Sequence, residues 1–181
     1  MKVQTQMRTH TDKRKNTYCI AMLGLLAAMS LGIYVLESML PPLFPVPGIK
    51  PGLSNIITLF ALRRFGKKEA GIVLLVRILL SALLFGGAIS LVYSLLGGAA
   101  ALCIEIITDA MLKGKYLYLT SAFGGLFHNA GQLIASLIIM RTAAVLAYTP
   151  YLAIAGIITG LFTGLCAHYL LKIRIPGADE F

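Results

Sequence analysis

Seven residues carry groups that can pair, ionise or bind while lying in or beside apolar runs: Glu37, Lys50, Asn55, Arg77, His128, Asn129 and Gln132. Such groups are costly at membrane depth, so they turn to a bundle interior or a wet cavity. Arg77 stands eight residues past Glu69, about 12 Å along a helix and near mid-membrane. Glu37 stands nineteen past Tyr18, about 29 Å along, near the opposite interface. His128 and Gln132 are one helical turn apart and share a face, with Asn129 about 100° round from His128. One reading is that these groups hydrogen-bond one another and hold helices in register. The other is a polar pocket walled by Arg77, His128, Asn129 and Gln132 and rimmed by Glu37, Lys50 and Asn55. Cations fixed where water is partly excluded would favour a small polar or anionic ligand.

Catalytic chemistry has little support. The sequence has no DDxxD-type acidic cluster, no HExxH, no serine-nucleophile motif and no GxxxxGK[ST] phosphate loop. The expectation is therefore no enzyme, no cofactor, no metal site and no intrinsic ATPase. Any energy source would be a partner or an ion gradient. Cys19, Cys103 and Cys166 lack ligand spacing and read as small hydrophobes. Glu105, Asp109 and Lys113, spaced by four, read as an ion-pair row at a helix end.

The elements that must position the seven are apolar helices. Of 181 residues 58% are hydrophobic and 13% charged, and the apolar residues form runs of spanning length, which defines an integral membrane protein. The net charge of +9 does not imply nucleic acid, because the basic residues sit at the ends of the apolar runs. Helices are expected over about 18–40, 52–65, 69–85, 88–109, 119–140 and 146–173, with Gly86-Gly87 a tight turn and Pro150 in a first turn. The second is too short to cross, so its far end starts below the surface. Residues 1–16 read as a basic tail, 17–173 as the membrane domain and 174–181 as a polar tail. Six spans put both termini on one side. With that side cytoplasmic, thirteen of the sixteen Lys and Arg lie inside, only Lys50 and Arg141 lie outside, and Arg77 is within the membrane. The positive-inside rule then fixes the orientation in an inner, cytoplasmic membrane.

The stretch Glu37–Asn55 therefore faces outward. It holds five prolines and two glycines and cannot be a regular helix. Residues 41–52 are expected to dip inward or to cover a funnel, as a lid over the pocket. On the first helix Gly24, Ala28 and Gly32 form a flat small-residue face, which either packs internally or docks a separate membrane partner.

Several of these motifs together resemble a known family. They are Glu37-Ser38 with Pro41, the run Pro47 to Asn55, Arg77, Tyr93-Ser94-Leu95-Leu96-Gly97-Gly98 and His128-Asn129-Ala130-Gly131-Gln132. Over about 18–172 the chain resembles the Gx transporter family, often labelled heptaprenyl diphosphate synthase component I. That family is similar to the S components of energy-coupling factor transporters. The resemblance implies an all-α six-helix bundle that binds a vitamin or precursor from outside. A transmembrane coupling subunit and paired ATPases would drive uptake, docking at Gly24, Ala28 and Gly32. The alternative is a non-catalytic accessory subunit for heptaprenyl diphosphate or menaquinone synthesis, since the seven acids are not clustered to hold magnesium on a diphosphate.

Overall fold

A computed structural model of the chain describes residues 2–41 and 49–173, with side chains from residue 17 onwards. Most of the expected lid, residues 42–48, and the tail 174–181 lie outside the described residues. Every regular element described is helical: α1 (Lys2–Met39), α2 (Asn55–Arg64), α3 (Lys67–Ser81), α4 (Gly87–Met111), α5 (Leu117–Met140) and α6 (Thr149–Lys172). A π-helical turn, Ala82–Gly86, joins α3 to α4, and a 3₁₀ turn, Ala143–Tyr148, leads into α6. Four segments are long and apolar enough to cross a membrane: Thr17–Met39, Gly87–Met111, Leu117–Met140 and Ala143–Lys172.

The sequence placed six spans, and two of the six helices fall short of that standard. α2 has 10 residues and α3 has 15. At 1.5 Å per residue α2 rises only about 15 Å, half of a ~30 Å hydrocarbon core. It is also enclosed, because every residue from Asn55 to Leu62 is buried. α3 is amphipathic in the membrane sense. Ala70, Val73, Leu74, Arg77, Ile78 and Ser81 face inward, while Ile72, Leu75, Val76, Leu79 and Leu80 are exposed. Inward positions three and four apart are one helical stripe, and an outer surface this apolar suits lipid. The first helix also differs from expectation, since it continues back through the basic segment 2–16.

The turn into α4 is not the simple tight turn that Gly86-Gly87 suggests. The helix widens over Ala82–Gly86, and Gly87 then takes φ +61. That value is open to glycine at little steric cost. Pro150 sits in the first turn of α6, as expected, where its missing N–H costs nothing.

Helices α4, α5 and α6 pack as one tight layer. Gly156, Gly160 and Gly164 are buried along one face of α6. A Cβ at Gly160 would lie 2.8 Å from Ala122 Cα and press on the Ser121 carbonyl. A Cβ at Gly125 would lie 2.8 Å from Gly160 Cα. Small residues allow this approach, which supplies the dispersion contacts that hold helices together in lipid. Gly160→Val is expected to lower unfolding stability by about 3 kcal/mol, the upper end for overpacking. Gly24→Ala meets nothing within 4 Å and is expected to leave stability unchanged or slightly raised. Thermal unfolding in detergent reads both.

The expected charge row Glu105, Asp109 and Lys113 is not continuous. Asp109 pairs with Arg63 of α2 at 2.8 Å, and Lys113 has φ +49 in the turn after α4. Glu105 points instead into the α4–α5 contact, where its side chain occupies the space left by Gly124. Cys103 is exposed, whereas Cys19 and Cys166 are partly buried.

Candidate functional site

The site is built where α1 ends, α2 begins and the middles of α3 and α5 pass. Glycines make the room. In α4, Gly97 lies under the His128 and Gln132 side chains, and a Cβ there would stand 2.8 Å from Gln132 Cγ and 3.0 Å from His128 Cε1. Gly98 does the same for Leu74 of α3, at 2.9 Å. The paired glycines inside α4 thus let α3 and α5 bring their polar residues to a common space.

Gly52 closes the other side. It has φ +81, and its missing Cβ would lie 2.7 Å from both Cδ2 and Nε2 of His128. Its N–H donates to Glu37 Oε1 at 2.5 Å, and the Leu53 N–H donates to the same oxygen at 3.3 Å. Glu37 therefore fastens Gly52 and Leu53, just before α2, to the end of α1. Ser30, further down α1, donates to the Ser54 carbonyl at 3.1 Å.

Arg77 is 2% exposed. Its Nη1 donates to Ser54 Oγ at 2.5 Å, and its Nη2 donates to Asn55 Oδ1 at 3.3 Å. Its Nε is buried with no hydrogen-bond partner among the described residues. Asn55 Nδ2 lies 3.1 Å from His128 Nδ1, and Gln132 Nε2 lies 3.0 Å from His128 Nε2. The Lys50 backbone N–H donates to Gln132 Oε1 at 3.1 Å. The Lys50 ammonium sits 3.9 Å over the Tyr34 ring centroid, a cation–π contact.

This chain of contacts has an odd property. It begins and ends on groups that can only donate, the Lys50 N–H and the Arg77 guanidinium. Between them stand two amides and one imidazole, each with one donating and one accepting end. A neutral imidazole has a single lone pair, so His128 cannot accept from both Asn55 and Gln132. Turning the Gln132 amide moves the conflict to Lys50, and turning the Asn55 amide moves it to Arg77. The Gly97 carbonyl can take one ring proton, which leaves an Asn55 N–H facing another N–H. Whatever the orientation, one donor is left over. A further acceptor oxygen, of a water or of a ligand, would resolve the conflict.

A cavity lies against this network. Tyr34, Glu37, Lys50, Gly52, Ser54, Arg77, Ser94, His128 and Gln132 line it, and its free space is about 10 Å3, close to one water. Beside it, sharing Tyr34 and Lys50, is a crevice of about 230 Å3 whose other walls are Ser38, Phe85, Ile89, Ser90 and Tyr93.

Six of the seven residues singled out from sequence come together here: Glu37, Lys50, Asn55, Arg77, His128 and Gln132. Asn129 does not. Its rotation from His128 turns it to α6, where Nδ2 donates to the Leu152 carbonyl at 2.8 Å. Spacing arguments do not reach Tyr34, Ser54, Ser90 or Ser94. Tyr34 and Glu37 are both buried and stand three apart on α1, a relation visible in the sequence, and Ser94 lies in the quoted Tyr93-to-Gly98 motif. The small-residue face Gly24, Ala28 and Gly32 is exposed, with nothing within 4 Å of a Cβ at either glycine. It is therefore not used in packing among the described helices. Among the described residues no group of three or more His, Cys, Asp or Glu could hold a metal ion.

Fold and site define a multi-pass helical membrane protein with a buried, donor-rich polar cluster near one end of its bundle. The chain belongs to the heptaprenyl diphosphate synthase component I family, whose family model matches residues 26–170. Comparison with curated proteins and with solved structures gives no match.

Proposed function

We propose that this chain is a non-catalytic membrane subunit, an accessory component of heptaprenyl diphosphate synthesis, that binds the anionic group of a ligand in the Arg77–His128 cluster. The surplus of donors converging on His128, beside the Lys50 and Arg77 that line the same cavity, carries the reading, since an added acceptor oxygen completes the network and the two cations favour a charged one. The family description supports the pathway. That the sequence has no DDxxD-type acidic motif supports a binding role rather than prenyl transfer. In this proposal both termini are cytoplasmic, the cluster opens outward, and the chain lies in the cell membrane as one domain over 17–173.

A second reading is the substrate-binding S component of a small-molecule importer. The open face of Gly24, Ala28 and Gly32 favours it, because a flat face on a spanning helix suits a transmembrane coupling subunit. The family description speaks for the accessory reading.

Affinity purification from native membranes, with identification of the co-purifying proteins, separates the two. A soluble prenyl synthase rich in acidic motifs is expected on the accessory reading. Recovery of a transmembrane coupling subunit with paired ATPases, lost in Ala28→Leu, would replace it with the importer. The purified chain alone is expected to show no prenyl transfer with magnesium, and robust turnover would refute the non-catalytic assignment.

A further inference from the structure

We infer that Glu105 is a proton-binding site, and that the proton it holds is linked to closure of the contact between α4 and α5. The site lies apart from the Arg77–His128 cluster, eight residues along α4 from Gly97, or about 12 Å. It does not rest on the anion-binding reading above.

The first observation is how the carboxyl is enclosed. Glu105 is 2% exposed on a helix long and apolar enough to cross a membrane. It stands six residues before the end of α4 at Met111, about 9 Å inside. Its Oε2 is buried with no hydrogen-bond partner among the described residues. Across the contact, a Cβ at Gly124 of α5 would lie 2.8 Å from its Cγ and 2.9 Å from its Cδ. The carboxyl is thus shut in by the α5 backbone. Thr120, one turn from Gly124 on the same face, is itself buried, and its Oγ1 also lacks a partner among the described residues. A glutamate kept only to clamp two helices would have its oxygens hydrogen-bonded.

The second observation is the charge around it. Among the described residues no Lys, Arg or His lies within ion-pair distance of Glu105. On α4 itself Asp109 stands one turn away and carries the same sign. The helices packed on α4 are α2, α3 and α5. From α2, Arg63 is engaged with Asp109 at 2.8 Å and with the Gly114 carbonyl at 2.5 Å. From α3, Arg77 meets α4 at Gly98, where its Nη2 would lie 3.6 Å from a Cβ. Gly98 is seven residues from Glu105, about 10 Å along the helix. From α5, His128 lies against Gly97. An ionised Glu105 would therefore be buried without a cation, and a neutral acid is far cheaper there.

A proton supplies what is missing. Water reaches within one turn of Glu105 at the Arg63–Asp109 pair, whose side chains are 25% and 24% exposed. On uptake a hydronium ion there gives up its proton, and an O–H bond forms on the Glu105 carboxyl. On release that bond breaks, its electron pair stays on the carboxylate, and the proton returns to water. The carboxylate so formed needs solvent, which it gains only where α4 and α5 part. The same two helices hold Gly97 against His128 and Gln132, so the proton acts on the pair that carries much of the polar cluster. An ion gradient, one of the two energy sources open to a chain without a phosphate loop, thereby has a residue to act on.

The test is infrared spectroscopy and thermal unfolding of the full chain in detergent, wild type against Glu105→Gln, which keeps the shape of the neutral acid. At about pH 7, where an exposed glutamate is ionised, the wild type is expected to show the carbonyl stretch of a protonated carboxyl. Glu105→Gln is expected to lose that band. Glu37→Gln removes the other buried acid among the described residues and is expected to keep it, so the site stays testable if Glu105→Gln does not fold. From about pH 5 upward the folded chain holds a proton that the unfolded chain has released. Stability therefore falls as pH rises, and the wild-type folding equilibrium constant is expected to drop by up to about tenfold per pH unit relative to Glu105→Gln. No band in the wild type, or a band lost in Glu37→Gln and kept in Glu105→Gln, overturns the site. Parallel pH profiles for wild type and Glu105→Gln overturn the linkage to closure. Stabilisation by sodium chloride over choline chloride at fixed pH, confined to chains with Glu105, puts a sodium ion in place of the proton and overturns the proposal.

Discussion

Arg77→Met is expected to abolish ligand binding while costing only modest stability. Methionine keeps length and apolar bulk but removes the guanidinium. Breaking a buried ion pair commonly costs about 3–5 kcal/mol, because the partner is left charged and alone. Among the described residues no carboxylate lies within ion-pair distance of Arg77, and Glu37 faces it only across the cavity that both line. The direct partners of Arg77 are the Ser54 hydroxyl and the Asn55 carbonyl oxygen. Without Arg77, the Asn55 amide is free to turn and accept from His128, which removes the donor conflict. One orphaned acceptor, Ser54 Oγ, remains, worth about 1–3 kcal/mol. Thermal unfolding of detergent-solubilised protein is therefore expected to show a loss of that order. Geranyl diphosphate is expected to raise the midpoint of the wild type and to leave the variant unmoved. If Arg77 only holds helices in register, the variant unfolds at much lower temperature and neither protein responds to the anion.

Gly52→Ala is expected to be the most damaging single-methyl change at the site. Two terms add. A left-handed φ of +81 costs a side-chain-bearing residue about 1–2 kcal/mol. The new Cβ would also lie 2.7 Å from the His128 ring, and overpacking of that kind costs about 1–3 kcal/mol. The total is about 2–5 kcal/mol, with loss of ligand because His128 must move. A double-mutant cycle separates the terms. In a His128→Ala background the clash is gone, and Gly52→Ala is expected to cost only the backbone part, about 1–2 kcal/mol. Equal costs in the two backgrounds would show that Gly52 and the ring are not in contact.

Much of this organisation was legible because membranes impose simple rules. Apolar runs gave the helices, and the cost of charge at depth singled out Arg77, His128 and Gln132 without knowledge of any contact. The short α2 was legible from counting residues against membrane thickness. What sequence spacing could not supply was direction. His128 and Asn129 are adjacent in sequence and equally buried, yet one faces α2 and α4 and the other α6. Only helix–helix packing decides that. The glycines were legible as small residues but not as partners. Gly97 makes room for His128 and Gln132, and Gly156, Gly160 and Gly164 meet α5, through contacts between helices that spacing within one helix does not specify. The donor surplus needs the whole chain from Lys50 to Arg77 in space before it can be seen.

The glycine contacts also explain why six polar residues from four helices and one irregular segment reach a common volume. Gly97 and Gly98 set the depth of α5 and α3 against α4. Gly52 sets the height of the segment that Glu37 fastens. Each larger side chain would separate the donors from the space they share.

The account stands most directly on one quantity, the amount of acidic small molecule or lipid retained per chain after gentle purification from native membranes. Quantitative negative-ion mass spectrometry of the extracted wild type and Arg77→Met proteins measures it. About one phosphate-bearing molecule per wild-type chain, absent from the variant, is the expected result. Equal retention by both proteins, or only neutral molecules in either, would contradict a donor-rich site that requires an anion.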